Sequence, residues 1–107
     1  MAYYMYQASF TAEAWAKMVK EPQDREKALR PAIEKLGGKL IGYWMAFGDA
    51  DAVVIVQLPD NASAAAASLA ATAGGAVRAL KTTALMSIDE SMQAMKKAQS
   101  VAYRAPG

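Results

Sequence analysis

The chain has no cysteine and no histidine among its 107 residues. The first absence excludes disulfides, thiolate metal sites and cysteine nucleophiles. The second removes the commonest metal ligand, the usual proximal haem ligand and the usual general base, and with it any Ser-His-Asp constellation. A dominant charge is missing too, since 12 basic and 10 acidic residues leave a net +2. The Lys and Arg residues are scattered, with only Lys96 and Lys97 adjacent. A nucleic-acid footprint needs a clustered basic face, so nucleic acid is not an expected partner. The longest apolar run, Ala62 to Ala73, is alanine-rich and broken by Ser63, Ser68 and Thr72. It falls short of the roughly 20 strongly apolar residues that a bilayer span requires. Met1 to Phe10 has no basic segment followed by a long apolar one, so no signal peptide is read. Gly37-Gly38 and Gly74-Gly75 lack the spacing and the Lys-Ser/Thr tail of a phosphate loop. The resulting expectation is a soluble, cytoplasmic protein with no metal and no cofactor.

What is present suits one small domain. Hydrophobic residues make up 54% of the chain, so whole-chain disorder is excluded. Ala2 to Phe10 alternates, with Tyr4, Tyr6, Ala8 and Phe10 on one side and Tyr3, Met5, Gln7 and Ser9 on the other. That period of two reads as a strand. Thr11 is a helix N-cap, followed by Ala14, Trp15, Met18 and Val19 at helical spacing. Glu21-Pro22 interrupts the helix. A helical pattern resumes over Gln23 to Leu36, where Pro31 predicts a bend or a second helix start and Gly37-Gly38 a stop. Lys39 to Phe47 reads as a second strand, with Leu40, Gly42, Trp44 and Ala46 opposite Ile41, Tyr43, Met45 and Phe47. Gly48 to Asp51 forms a hairpin, and Ala52 to Leu58 is a third strand, apolar on both sides. Ala62 to Ala73 is a small-residue helix, Val77 to Met86 a fourth strand, and Ser87 with Glu90 a capping box for a last helix. Residues 1–99 are expected to form the domain and residues 100–107 a tail.

The order β-α-β-β-α-β plus a terminal helix predicts an α+β, ferredoxin-like fold with an antiparallel four-stranded sheet. Helices cover one face of such a sheet. The other face should be polar if it meets water, yet the second and third strands are apolar on both sides. An exposed apolar sheet face marks an interaction surface, and a two-fold pair is the commonest assembly. A second copy of the chain is therefore the expected partner.

The opening strand with Gln7, Phe10 and Thr11, the block EKLGGKLIGYWMAFGDADAVVIVQLPDNASAAA and the block GGAVRALKTTALMSIDESMQAM resemble the GYD domain proteins. These are small bacterial proteins of the dimeric α+β barrel superfamily. The resemblance runs from about Tyr4 to Lys96 and implies pairing as a dimeric barrel. Gly48 and Asp51 match the motif that names the family, but Ala50 stands where the family usually has Tyr. The family is mostly without an assigned activity. Relatives in the wider superfamily include haem-degrading and cofactor-independent monooxygenases and stress-response binding proteins. Haem degradation is disfavoured here because the proximal His is missing.

Candidate ligand-binding residues are Tyr4, Tyr6, Trp15, Tyr43, Trp44, Asp51 and Arg78. Aromatic side chains on adjacent strands can wall an apolar pocket and offer phenol tips as hydrogen-bonding groups. The plainer alternative for each is packing in the core or at an interface. Asp49 and Asp51 are equally hairpin residues whose carboxylates accept backbone amides. Arg78 and Lys81, three apart on a strand, fall on opposite faces, and either can hold an anion, pair with a carboxylate or reach solvent. Gln7 and Ser9 are further polar candidates. Met92 and Met95 suit packing onto a partner subunit. No catalytic set is evident. The leading expectation is a homo-oligomeric small-molecule-binding or accessory domain for a small aromatic or apolar ligand. The alternatives are a cofactor-independent monooxygenase or isomerase, whose acid-base group must be Asp, Glu, Lys or Tyr, and a structural assembly module.

Overall fold

The computed structural model describes residues 1–107. Four strands, β1 (Ala2–Phe10), β2 (Lys39–Met45), β3 (Ala52–Leu58) and β4 (Val77–Leu85), form one antiparallel sheet in the order β2-β3-β1-β4. Four helices accompany them: α1 (Ala12–Lys20), α2 (Arg25–Lys35), α3 (Asn61–Ala73) and α4 (Ile88–Gln99). The arrangement is ferredoxin-like, with the first helical connection divided in two. No helix is long and apolar enough to cross a membrane.

Local chemistry explains where the helices begin and end. The Thr11 hydroxyl accepts the Ala14 amide at 3.0 Å and opens α1. Pro22 follows the last turn of α1 and cannot donate to it. Asp24 then caps α2 through the Lys27 amide at 3.0 Å. Pro31 lies inside α2, and the second helix start expected there does not occur. The fixed φ of proline is helical, so only one intrahelical bond is forfeited, while Ile33, two residues on, is fully buried and anchors the helix. At its end the Gly38 amide bonds to the Ile33 carbonyl and the Gly37 amide to the Glu34 carbonyl. This reciprocal pair requires a left-handed residue, and Gly37 has φ of 82°.

The core lies on the helix-covered face of the sheet. Tyr4 and Tyr6 from β1 meet Val54, Val56 and Leu58 from β3, Leu40 from β2, Ile33 from α2 and Ala64 from α3. Burying each large aliphatic side chain contributes about 1.5–3 kcal/mol. Both buried phenols are satisfied. Tyr4 donates to Asn61 Oδ1 at 2.7 Å and Tyr6 to the Ala64 carbonyl at 2.7 Å. These two bonds set α3 over β1, and the small side chains of α3 allow the close approach.

The alternation expected for β2 does not hold along its whole length. The pairing with β3 shifts between Leu40 and Gly42. Ile41 is the extra residue of this bulge, so Leu40 and Tyr43 share the helix-covered face while Trp44 points to the other side. Leu40 is buried and Trp44 is 55% exposed. The indole of Trp44 lies where a Gly42 side chain would be, so the glycine gives that ring its place. A second irregularity, between Ser9 and Phe10, leaves Arg78 of β4 without a counterpart in β1.

The sheet's other face carries no covering layer. Tyr3, Met5 and Gln7 stand there beside Val53, Ile55 and Gln57 of β3, Trp44 of β2, and Lys81, Thr83 and Leu85 of β4, as the pairing register dictates. Only 11 residues of the chain are buried, and 7801 Å² of surface stays accessible.

Burial pushes the Tyr6 phenol up to about 12, with the neighbouring Tyr4 adding to the effect. The folded state therefore holds this proton longer than the unfolded chain, whose tyrosines titrate near about 10. Tyr6 contributes its full share of stability below about pH 10 and loses it as the pH rises towards 12. Tyr6→Phe should reduce stability by about 1 kcal/mol at neutral pH and flatten the alkaline fall. Urea titrations between pH 8 and pH 11.5 measure both effects.

Candidate functional site

Asp51 organises one end of the sheet. Its backbone amide bonds to the Ala8 carbonyl at 2.8 Å, and its carbonyl accepts the Ala46 amide at 2.8 Å, closing the β2–β3 connection. One carboxylate oxygen accepts the Phe10 amide at 2.9 Å and the Trp15 indole N–H at 3.2 Å. The other takes no hydrogen bond from the chain. A single side chain thus joins the hairpin, the end of β1 and the second turn of α1. Phe10 and Trp15 pack edge to face, with ring centroids 5.4 Å apart.

This tie fastens α1 to the sheet near its start, and no residue of α1 is buried. Between them opens a cleft of about 370 Å³. Its walls are Phe10, Trp15, Met18 and Val19 on one side and Tyr43, Met45 and Ala52 on the other, with Arg25 and Asp51 at its polar edges. The Arg25 guanidinium bonds to Gln23 at 2.8 Å. Behind the cleft is a smaller cavity of about 100 Å³, nearly all apolar, between the sheet and helices α2 and α3. Phe10, Arg25, Tyr43 and Ala52 border both spaces. The inner cavity follows from the alanines of α3. Ala67 and Ala71 face Leu80, Val77 and Leu29 across it, and methyl groups do not fill the gap that longer side chains would.

Tyr43 stands at the boundary of the two spaces. Burial pushes its phenol up, and the Arg25 guanidinium partly opposes this. The hydroxyl is therefore a neutral donor near neutral pH, beside a cation. The chemical offer is an aromatic-walled slot with a phenol, a guanidinium and one unshared carboxylate oxygen at its rim.

The sequence candidates divide accordingly. Trp15, Tyr43 and Asp51 come together in the cleft, and Tyr6 borders the inner cavity. Tyr4 is a core residue bonded to Asn61. Trp44 lies on the opposite side of the sheet, and Arg78 sits exposed at the β4 bulge. Gln7 is on the uncovered face opposite Val53, and the Ser9 hydroxyl reaches the Asp49 carbonyl at 3.5 Å. Sequence reasoning missed Phe10 and Arg25 as site residues. The available signal for Arg25 was its place directly after the Asp24 cap, which directs it to the helix entrance rather than its side.

Asp51→Ala should leave the Phe10 amide and the Trp15 indole without a partner and lower stability by about 1–3 kcal/mol. The indole proton of Trp15 should shift in the NMR spectrum while that of Trp44 holds its position.

No curated protein matches this sequence. The GYD domain model matches residues 4–95, a span that includes β1 from Tyr4 on, the other three strands, the cleft and the Asp51 tie, and the chain belongs to the GYD domain family.

Proposed function

We propose that the chain is a small-molecule-binding domain that works as a pair of identical subunits. The observation that carries the binding role is the open cleft of about 370 Å³ with a mostly apolar cavity of about 100 Å³ behind it. Concave, mostly apolar spaces with a few convergent polar groups are the usual form of ligand sites. Phe10, Trp15 and Tyr43 suit a flat aromatic or apolar body, and the Tyr43 hydroxyl and Arg25 suit one polar substituent. An unfilled space beside the core weighs against a purely structural module, because interiors otherwise pack to crystal-like density.

Pairing is supported by the uncovered face. Met5, Val53, Ile55 and Leu85 share it with Tyr3 and Trp44, and no element of the chain lies over them. A second copy presenting the same face buries both, as two-fold contacts do.

2-Naphthol serves as a probe of the cleft. Titrated into 15N-labelled protein, it should shift the Trp15 indole and the Ala67 and Ala71 amides and leave the Trp44 indole unmoved. Ala71→Leu, which fills the inner cavity, should weaken the probe about tenfold. An unchanged affinity, or shifts confined to Trp44, would contradict the assignment of the site. For the assembly, Ile55→Lys should turn a light-scattering mass of two chains into one. A wild-type mass of one chain would remove the pairing.

A further inference from the structure

Helix α4 is complete, amphipathic and unsupported. Its start is fixed by a capping box. The Ser87 amide bonds to Glu90 Oε1 at 3.1 Å, the Glu90 amide to Ser87 Oγ at 3.1 Å, and the Ser91 hydroxyl to the Ser87 carbonyl at 2.9 Å. Asp89 and Glu90 lie in the first turn and Lys96 and Lys97 in the last, matching the helix dipole at both ends. At 100° per residue, Ile88, Met92 and Met95 fall within about 60° of one another. Asp89, Glu90, Gln93, Lys96 and Lys97 gather on one flank, between about 80° and 200° from Ile88, and Ser91, Ala94 and Ala98 fill the remainder. This is the pattern of a helix with a partner, yet none of its residues is buried and no element of the chain packs along it. Ile88 is 76% exposed and Met95 66%.

Only Met86 and Ser87 separate β4 from α4, and the capping bonds hold the first turn of the helix. The chain is extended, 57 Å along its longest axis, with a radius of gyration of 17.2 Å. A compact chain of this length has a radius near 13 Å.

The surface area indicates what covers the helix. A folded monomer of this mass exposes about 5,800 Å², whereas this chain exposes 7801 Å². The excess is about 2,000 Å² per chain, the amount that a large permanent pair buries. The uncovered sheet face does not supply it alone. Four strands spaced about 4.8 Å apart and about 25 Å long span about 500 Å² in plan. The rest lies on the residues that pack on nothing, the eight exposed residues 100–107 and α4 itself, and of these α4, with Met86 beside it, carries the regular apolar stripe. Helix α1 is also unburied, but the Trp15–Asp51 bond and the Thr11 amide to the Ala76 carbonyl, at 2.9 Å, tether it to its own sheet.

We infer that α4 is an exchanged arm, its Ile88–Met92–Met95 stripe packing on the second copy of the chain and not on its own. This rests on the pairing proposed above and goes beyond it, because face-to-face contact of two sheets requires no arm. Each copy both gives and receives a helix, so the contact closes on itself and does not propagate into fibres.

The absence of native cysteine makes the test direct. The variant Met95→Cys carries a single thiol, to which benzophenone maleimide is attached in the full-length chain. Illumination should give a covalent dimer on a denaturing gel, with the linked peptide mapping to a different chain in mixed isotope-labelled samples. Linkage only within one chain, or no linkage from a protein that light scattering shows to be a dimer, overturns the arm and leaves the pairing intact. A single-chain mass for the wild type removes the pairing and the arm together. In a second variant, Met92→Glu with Met95→Glu, the helix-forming tendency is retained and the apolar stripe is lost. Its dimer dissociation constant should rise on the order of 100-fold, with unchanged far-ultraviolet dichroism. An unchanged dissociation constant also refutes the arm.

Discussion

The structure depends on the contact between the covered sheet face and the small-residue helix α3. Tyr4 and Tyr6 rise from β1 and end in hydrogen bonds to Asn61 and the Ala64 carbonyl. Around them Val54, Val56, Leu58 and Leu40 complete a patch that Ile33 closes from α2. A buried phenol without an acceptor costs about 1–3 kcal/mol, so these two bonds are also a condition on where α3 sits. Helix α3 can meet it only because its side chains are mostly methyl groups. The same methyls leave space further along, where the sheet and helices part and the inner cavity begins. Core and candidate site are two ends of one interface.

Uneven packing divides the molecule into well and poorly supported parts. Strands β1 and β3 are central, and their inward side chains are buried on one face. Helices α1 and α4 have no buried residue. For α1 the consequence is a cleft, since the Asp51 carboxylate fastens its second turn and its remainder stands over the rings of Phe10 and Tyr43. For α4 it is a free apolar stripe. Elements held by few buried contacts open most readily, so the proposed ligand entry and the proposed subunit contact both fall on the least supported pieces.

Much of the fold could be read from the residue order. The capping residues Thr11 and Ser87, the glycine pairs and the proline at position 22 mark the element ends, and the two-sided greasiness of β3 is plain in AVVIVQL. What misled was regularity. Strict alternation in β2 put Leu40 and Trp44 together, but the bulge at Ile41 separates them, and a bulge depends on the partner strand. Pro31 suggested a bend or a new helix start; no new start occurs, and burial of Ile33 holds one helix through it. The site was legible in part. Trp15, Tyr43 and Asp51 were named for their chemistry, and topology, not spacing, brings them together across 36 positions in the case of Trp15 and Asp51. Arg25 was hidden because its value lies in the cleft it borders, and that cleft forms only where the fold sets α1 and the start of α2 beside Tyr43 and Met45. Tyr4 and Trp44 have suitable chemistry but face the wrong neighbours.

The placement of the two tryptophans gives the molecule a pair of built-in optical reporters. Trp15 sits in the cleft on the helix side, bonded to a carboxylate, and Trp44 lies over Gly42 on the bare side. Occupancy of the cleft changes the surroundings of one ring and burial of the bare side changes those of the other. Emission from single-tryptophan forms of this protein can therefore separate what happens on one side of a sheet from what happens on its reverse, without any added label.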